Sequence, residues 1–268
     1  MNALRDTACP AATEVLELNE VAVGSTLSPE TPSVEDVTWT VRSGDYWVIG
    51  GWPGSGKSDL LATIAGMMRP LRGTLRLFGL DRVSAHEHEL ADARAKIGLV
   101  FENGGRPFNH LTVTENVTLP LCYHENRAPE EAIERVGALL EFAGLESVAG
   151  RFPTEISFFL QQRMALVRAL ALRPRVLLVD NAVSGATTRE ARWWRQALSQ
   201  LAAGHAVTDG QPLTLVVGCH DLRPWSDHGK QFALLKHRRW LGIGDRAALG
   251  QSEEPLLREL LAADSNEG

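Results

Sequence analysis

Three cysteines in 268 residues, Cys9, Cys122 and Cys219, are too few and too far apart for a disulfide framework. None lies in a C-x-x-C spacing, so a structural zinc site is not expected either, and all three read as reduced thiols. Positive charge is not in surplus: 27 Lys and Arg stand against 33 Asp and Glu, a formal charge of −6. Gripping a phosphate backbone requires a basic surface, so the charge argues against nucleic acid as a partner. No apolar run reaches the roughly 18 residues of a membrane span. The opening "MNALRDTACPAATE" lacks the apolar stretch of a secretion signal, so the expected location is the cytoplasm, without a direct membrane span. Internal repeats and low-complexity blocks are absent as well. What remains is ordinary globular composition, 44% hydrophobic and 22% charged, long enough for one large α/β domain with or without a small lobe.

Periodicity orders the chain. Residues 1 to about 13 read as a frayed tail. "EVLELNEVAV" and "DVTWTV" alternate as strands do, and "YWVIGG" runs into a glycine-rich turn and the helix "KSDLLATIAGMM". "GTLRLFG" reads as a returning strand, "SAHEHELADARAKI" as a helix, and "GLVFE" as the next strand. From about 112 to 149 the pattern is helical, with Ile133, Val136 and Leu140 sharing a face. A helix from about 157 follows, then strand "RVLLVD", helix "TREARWWRQALSQLAA", strand "LTLVVGC", final strands "QFALLKHRR" and "WLGIGD", and a closing helix near "EPLLRELLAA". Alternation of this kind predicts an α/β fold with a mostly parallel sheet covered by helices. His86 and His88, two apart, are expected on different faces of a helix and so not as a metal pair. Of Trp193 and Trp194, one is expected inward and the other at a rim.

Gly51-Trp52-Pro53-Gly54-Ser55-Gly56-Lys57-Ser58 fits G-x-x-x-x-G-K-[ST] between a strand and a helix. Its glycines let successive backbone N–H groups face an anion, and the helix adds its positive end. Lys57 is placed to reach the β- and γ-phosphates of ATP, the Ser58 hydroxyl to ligate Mg²⁺, and Asp59 follows in the same nucleotide-binding run. "RVLLVDN" delivers Asp180 to the end of an apolar strand, the second metal-holding element such a loop needs.

Between these elements, "ISFFLQQRMALVRALALRPRVLLVDN" resembles the signature-to-Walker-B block of ABC-transporter ATPases, which reads L-S-G-G-Q-Q-Q-R-V-A-x-A-R-A-L and then x-P-x-x-L-L-x-D-E-P. "GLVFENGGRPFNHLTVTENVTLPL" resembles the family's Q-loop region, and "TLVVGCHDL" its switch-histidine strand, which gives His220. The resemblance spans about residues 15 to 245. It implies a P-loop cassette with a RecA-like core, an antiparallel β lobe and a helical subdomain at about 103–165, within an ATP-binding domain at 14–250. A C-terminal helix and tail follow at 251–268. It further implies two cassettes, alike or different, pairing head to tail around Mg–ATP and driving a separate integral-membrane permease, with this chain peripheral on the inner membrane.

Several positions depart from the family pattern. Ser157 of the signature is kept, but Phe158 and Phe159 stand where glycines approach a partner's phosphate, and Leu160 replaces a glutamine. Asn181 occupies the place of the glutamate that polarises the attacking water. Loss of a general base costs on the order of 10²–10⁴ in rate. Glu102 stands for the Q-loop glutamine and remains a candidate metal ligand, and Thr187 stands for the D-loop aspartate. Val23 to Ser25 offer no aromatic to stack on adenine, a contact worth about 1–3 kcal/mol in nucleic-acid binders. Two functions follow: a slow transporter ATPase, or an ATP-binding subunit that scaffolds a permease without turnover. A soluble cassette protein acting on DNA or ribosomes fits less well with one acidic cassette. "HLTVTENVTLPLCYH" resembles the same segment of Mla-like phospholipid-transport ATPases, which implies a lipid cargo.

Overall fold

In the computed structural model, which describes residues 13–125 and 128–262, the purely apolar runs become inner strands. β7 (Val176–Asp180) and β8 (Thr214–Cys219) are buried at every position. β8 pairs in parallel with β7 and with β3 (Tyr46–Gly50), β3 with β9 (Gln231–Lys236), and β7 with β6 (Ile97–Val100). Strands buried on both faces have no reason to alternate, which is why these segments read as continuous hydrophobic stretches. Residues 1–12, with Cys9, and residues 263–268 lie outside the described residues. Cys122 and Cys219 are free thiols.

The sheet is mixed: the parallel strands predicted from alternation make up one part, and the antiparallel lobe implied by the resemblance makes up the other. β1 (Glu14–Gly24), β2 (Pro32–Arg42), β4 (Arg72–Leu77) and β5 (Leu80–Asp81) form an antiparallel half. β10 (Arg239–Asp245) runs antiparallel to β9 and joins β2 in parallel, giving one ten-stranded sheet ordered β5-β4-β1-β2-β10-β9-β3-β8-β7-β6. The seam is narrow. It has one register pair, Arg239 with Glu35, a backbone bond from Glu35 N to Arg238 O at 2.7 Å, and ion pairs Arg238–Glu35 and Arg239–Asp36. Strand alternation missed this arrangement because pairing across the seam joins segments about 200 residues apart.

Period-two alternation sorts the inner strands between two cores. Leu177, Val179, Leu215 and Val217 face a core shared with α3 (Val113–His124), α4 (Pro129–Ala143), α5 (Phe158–Leu170) and α6 (Thr188–Ala203). Val176, Leu178 and Val216 face the opposite core, with α1 (Lys57–Ile64) and the antiparallel strands. Helices α3, α4 and α5 pack on one another as a layer beside the sheet. α2 (Glu87–Ala95) precedes β6, and two short helices, α7 (Arg246–Gln251) and α8 (Pro255–Leu261), close the chain.

Three local expectations are refined. α4 buries Val136 and Leu140 as expected, together with Ala132, Leu139 and Ala143, while Ile133 is 49% exposed, so Ala132 takes the inward place expected of Ile133. Trp194 is fully buried, and Trp193 lies at the rim under the Arg163 guanidinium, 4.1 Å from its ring. His86 caps α2 instead of lying within it, so its ring stacks on that of His88, 5.8 Å between centroids, instead of diverging from it.

Asn116, fully buried at the start of α3, holds the loop that follows β6. Its Oδ1 accepts from Phe108 N at 2.9 Å, and its Nδ2 donates to the carbonyls of Phe108, Leu111 and Thr112. Asn116→Ala leaves these backbone groups unpaired, and urea unfolding is expected to show a loss of about 2–3 kcal/mol.

Candidate functional site

Every predicted nucleotide-binding residue, Gly51 to Asp59, lies on the turn between β3 and α1 or in the first turn of that helix. The turn needs its glycines for space as well as for conformation. Gly56 has φ +94°, and a Cβ there would sit 2.4 Å from Val34 Cγ2. A Cβ on Gly51 would sit 2.8 Å from Leu235 O. β2 and β9 therefore press the loop from both sides. Trp52, 49% exposed, Pro53 and Gly54 form its outer tip, beside a cavity of about 430 Å³ that reaches Lys236 and Pro255.

Lys57, 4% exposed, folds back into its own loop. Its Nζ donates to Gly51 O at 2.6 Å, Trp52 O at 3.0 Å and Ser55 Oγ at 3.2 Å. Burial lowers its pKa to about 8, although Cys219, Asp180 and Glu102 pull the other way. Asp59 accepts from Thr26 N at 2.9 Å and so fastens the loop after β1 to α1. Val23, near the end of β1, enters the core, while Leu27 on that loop projects, 93% exposed.

Asp180 ends β7, buried, and accepts a hydrogen bond from the Ser58 hydroxyl. Burial raises its pKa above the usual carboxylate range. The Ser58 bond opposes that shift, the Glu102 charge adds to it, and Lys57 opposes it. A hydroxyl and a buried carboxylate side by side are hard oxygen donors, and a divalent cation would relieve the burial of the Asp180 charge. Ser58 and Asp180 thus fit Mg²⁺, with Glu102 close enough to add its charge. Among the described residues no cluster of three or more His, Cys, Asp or Glu could cage a metal alone. Mg²⁺ held with nucleotide phosphates needs no such cluster.

The three positions predicted as catalytic meet. Asn181 Nδ2 donates to Glu102 Oε1 at 2.6 Å and to His220 Nδ1 at 2.9 Å, while its Oδ1 accepts from His220 N at 3.3 Å. Nδ1 is therefore an acceptor, and the neutral imidazole carries its proton on Nε2. Burial, with the nearby Lys57 charge, lowers the His220 pKa and keeps the ring neutral. Asn181 has φ +47°, a left-handed backbone that asparagine tolerates better than most residues.

The signature residues lie apart from this cluster, at the start of α5. Ser157 caps the helix by accepting from Leu160 N, and the two phenylalanine rings meet edge to face, 5.6 Å apart. Phe158 is 43% exposed and Phe159 half-buried, so neither ring plugs the core. Sequence reasoning missed Gln162, whose Nε2 donates to Glu102 O at 2.9 Å and ties α5 to the cluster of Glu102, Asn181 and His220. It also missed Cys219, fully buried beside Lys57. Neither had a sequence signal, because the contacts bring together distant segments.

The depressed Lys57 pKa has a measurable sign. In the ligand-free protein, raising pH through about 8 removes the ammonium that an anion needs. ATP affinity is expected to fall by up to about tenfold per pH unit above that point, with proton uptake on binding. Calorimetry in buffers of different ionisation enthalpy reads both, and Lys57→Ala is expected to flatten the profile.

Over residues 34–184 the chain matches the ABC transporter family. It is 31% identical over 234 residues to the methionine import ATP-binding protein MetN of Bifidobacterium longum, covering 86% of this chain and 56% of that one. It is 29% identical over 227 residues to the probable ribonucleotide transport ATP-binding protein mkl of Mycobacterium tuberculosis, covering 85% and 61%. The chain thus spans about three fifths of the length of these curated relatives. Among solved structures, the post-hydrolysis dimer of the ATP-binding cassette MJ0796, bound to ADP and Pi, gives a TM-score of 0.73 at 29% identity, over 84% of this chain and 95% of that one. cbiO1 of Clostridium perfringens, 19% identical with a TM-score of 0.74 over 92% and 94%, shares the fold. The family match runs across more than half of the chain, so this protein belongs to the ABC transporter family, and its fold is that of the ATP-binding cassette.

Proposed function

We propose that the chain is the ATP-binding subunit of a membrane ABC transporter, binding Mg–ATP well and hydrolysing it slowly. The observation that carries this reading is Asn181, an amide beside Asp180 and hydrogen-bonded to Glu102 and His220. An amide takes no proton, while the phosphate loop, Lys57, Ser58 and Asp180 keep the groups that grip phosphate and metal. Binding therefore outlasts turnover. Phe158 and Phe159 add bulk at the surface that meets the partner cassette in the family arrangement, whether that partner is a second copy or a different chain.

In this reading residues 14–250 form the cassette, and the helical layer at about 103–165 faces a separate permease, which holds the chain peripherally at the inner membrane. A groove of about 450 Å³ between the edge strand β6 and helices α2, α3 and α5 supports that docking side. Phe101, Pro120, His124 and Arg168 line it. Among the described residues no helix is long and apolar enough to cross a membrane. The likeness of 110–124 to phospholipid-transport ATPases supports a lipid cargo, and the MetN relative supports methionine. Reconstitution with the permease, scored for each cargo, separates these two. A second reading, binding without any turnover, is favoured by the same Asn181 and phenylalanine pair.

Titration with Mg–ATP is expected to show saturable binding that Lys57→Ala weakens at least about tenfold. Turnover is expected at about 10²-fold or more below the roughly 10 s⁻¹ typical of enzymes. Hydrolysis near 10 s⁻¹ would overturn the slow reading, and complete absence of nucleotide binding would overturn the function.

A further inference from the structure

We propose that Arg69, Arg82 and Arg94 form a second anion site, separate from the phosphate loop, that takes a phosphate-type oxyanion. Arg69 lies in the loop after α1, Arg82 directly follows β5, and Arg94 is in the last turn of α2. The site does not depend on the ATP-binding reading.

The geometry converges on Gly66, just beyond α1. Gly66 has φ +77°, and a Cβ there would sit 2.6 Å from Arg94 Cδ and 3.9 Å from Arg82 Nε. Two arginines from different segments therefore lie against one backbone position. Arg82 is 7% exposed. Its side chain makes one hydrogen bond among the described residues, from Nη2 to Gly66 O at 3.4 Å, and its Nε has no partner. A guanidinium carries five N–H donors, so most of these meet no protein acceptor.

The charge around Arg82 is unbalanced too. Arg94 Nη2 pairs with Glu87 Oε1 at 2.5 Å, but that carboxylate is 70% exposed. Arg69 is exposed, with no hydrogen bond or ion pair to the described residues. Burial lowers the Arg82 pKa, the Arg94 and Arg69 charges lower it further, and Glu87 opposes them. Asp81 spends its Oδ1 on the backbone N–H groups of Val83 and Ser84. Three guanidinium groups thus stand with one carboxylate, a local positive excess in a chain of net charge −6. Capping α1 explains the bond to Gly66 and leaves the two further cations unexplained.

Burying a cation is costly unless an anion or good acceptors meet it. An oxyanion would supply both, and the arginine fork matches the oxygens of phosphate. The double charge of a phosphate dianion also matches the local excess. Met67 and Val83, the chain neighbours of Gly66 and Arg82, are 63% and 74% exposed. Apolar side chains beside the cations suit a phosphate that carries a lipid tail as well as a free phosphate compound.

The test titrates the nucleotide-free Lys57→Ala chain with inorganic phosphate, so that the phosphate loop contributes little, and follows the Arg82 Nε–H resonance. A saturable shift is expected at low salt, half complete at or below about 1 mM. In the same background, Arg69→Gln combined with Arg94→Gln is expected to weaken binding at least about tenfold. Glu87→Gln removes the competing carboxylate and is expected to tighten it about threefold, a gain that misfolding cannot mimic. Flotation with vesicles of phosphatidylcholine, with and without phosphatidylglycerol, separates the two sources. Binding only to the mixed vesicles, lost in the double variant, assigns a lipid headgroup. Phosphate binding without vesicle binding assigns a free phosphate compound. Absence of both the saturable shift and vesicle binding would overturn the site, and so would a shift that all three substitutions leave unchanged.

Discussion

A buried ammonium organises this molecule. Lys57 is almost wholly withdrawn from water, and its direct partners are the carbonyls of Gly51 and Trp52 and the Ser55 hydroxyl. Burying a charge costs several kcal/mol unless it is well hydrogen-bonded, so the loop must curl tightly enough to bring its own oxygens to Nζ. That curl requires glycine at 51 and 56, where Leu235 O and the Val34 side chain leave no room for a Cβ. The neutral oxygens lessen the cost without cancelling it, which is why the pKa falls to about 8. A phosphate would offer this lysine full negative charge, so the ligand-free loop is built to be improved by an anion.

Around that lysine the sheet places three strand ends. β6 leads to Glu102, β7 ends in Asp180 and runs on to Asn181, and β8 leads to His220. Parallel order makes these ends coincide at one edge, the usual location of ligand sites in such sheets. One asparagine side chain then joins the outer two through its amide protons. Gln162 extends the connection to α5, whose first turn carries the phenylalanine pair. One helix therefore carries both the Ser157 cap and the hydrogen bond to the Glu102 backbone.

Much of this was legible in order, because its signals are local. A glycine-rich run between a strand and a helix, and an aspartate behind four apolar residues, predicted Lys57, Ser58 and Asp180 together. The identities of Asn181, Phe158 and Phe159 marked the departures equally well. The antiparallel half was implied only through resemblance, because the β2–β10 seam is one register pair plus a few charged contacts between distant segments. On α4, Val136 and Leu140 face inward as expected and only Ile133 was misjudged, since Ile133 and Ala132 are both apolar and only packing chooses between them. His86 was assigned to a helix interior when its extended backbone makes it the cap.

The amino-acid order by itself determined the chemistry available: one lysine in a glycine-rich loop, one aspartate at the end of an apolar strand, and an amide beside it. Such properties belong to single residues and to spacings within one turn, where the chain has few conformational choices. Only the tertiary structure decided which side chains share a hydrogen bond, because Glu102, Asn181 and His220 are far apart in sequence and meet through strand order and register. That meeting turns Asn181 from a missing base into the contact that places a carboxylate beside the phosphate loop.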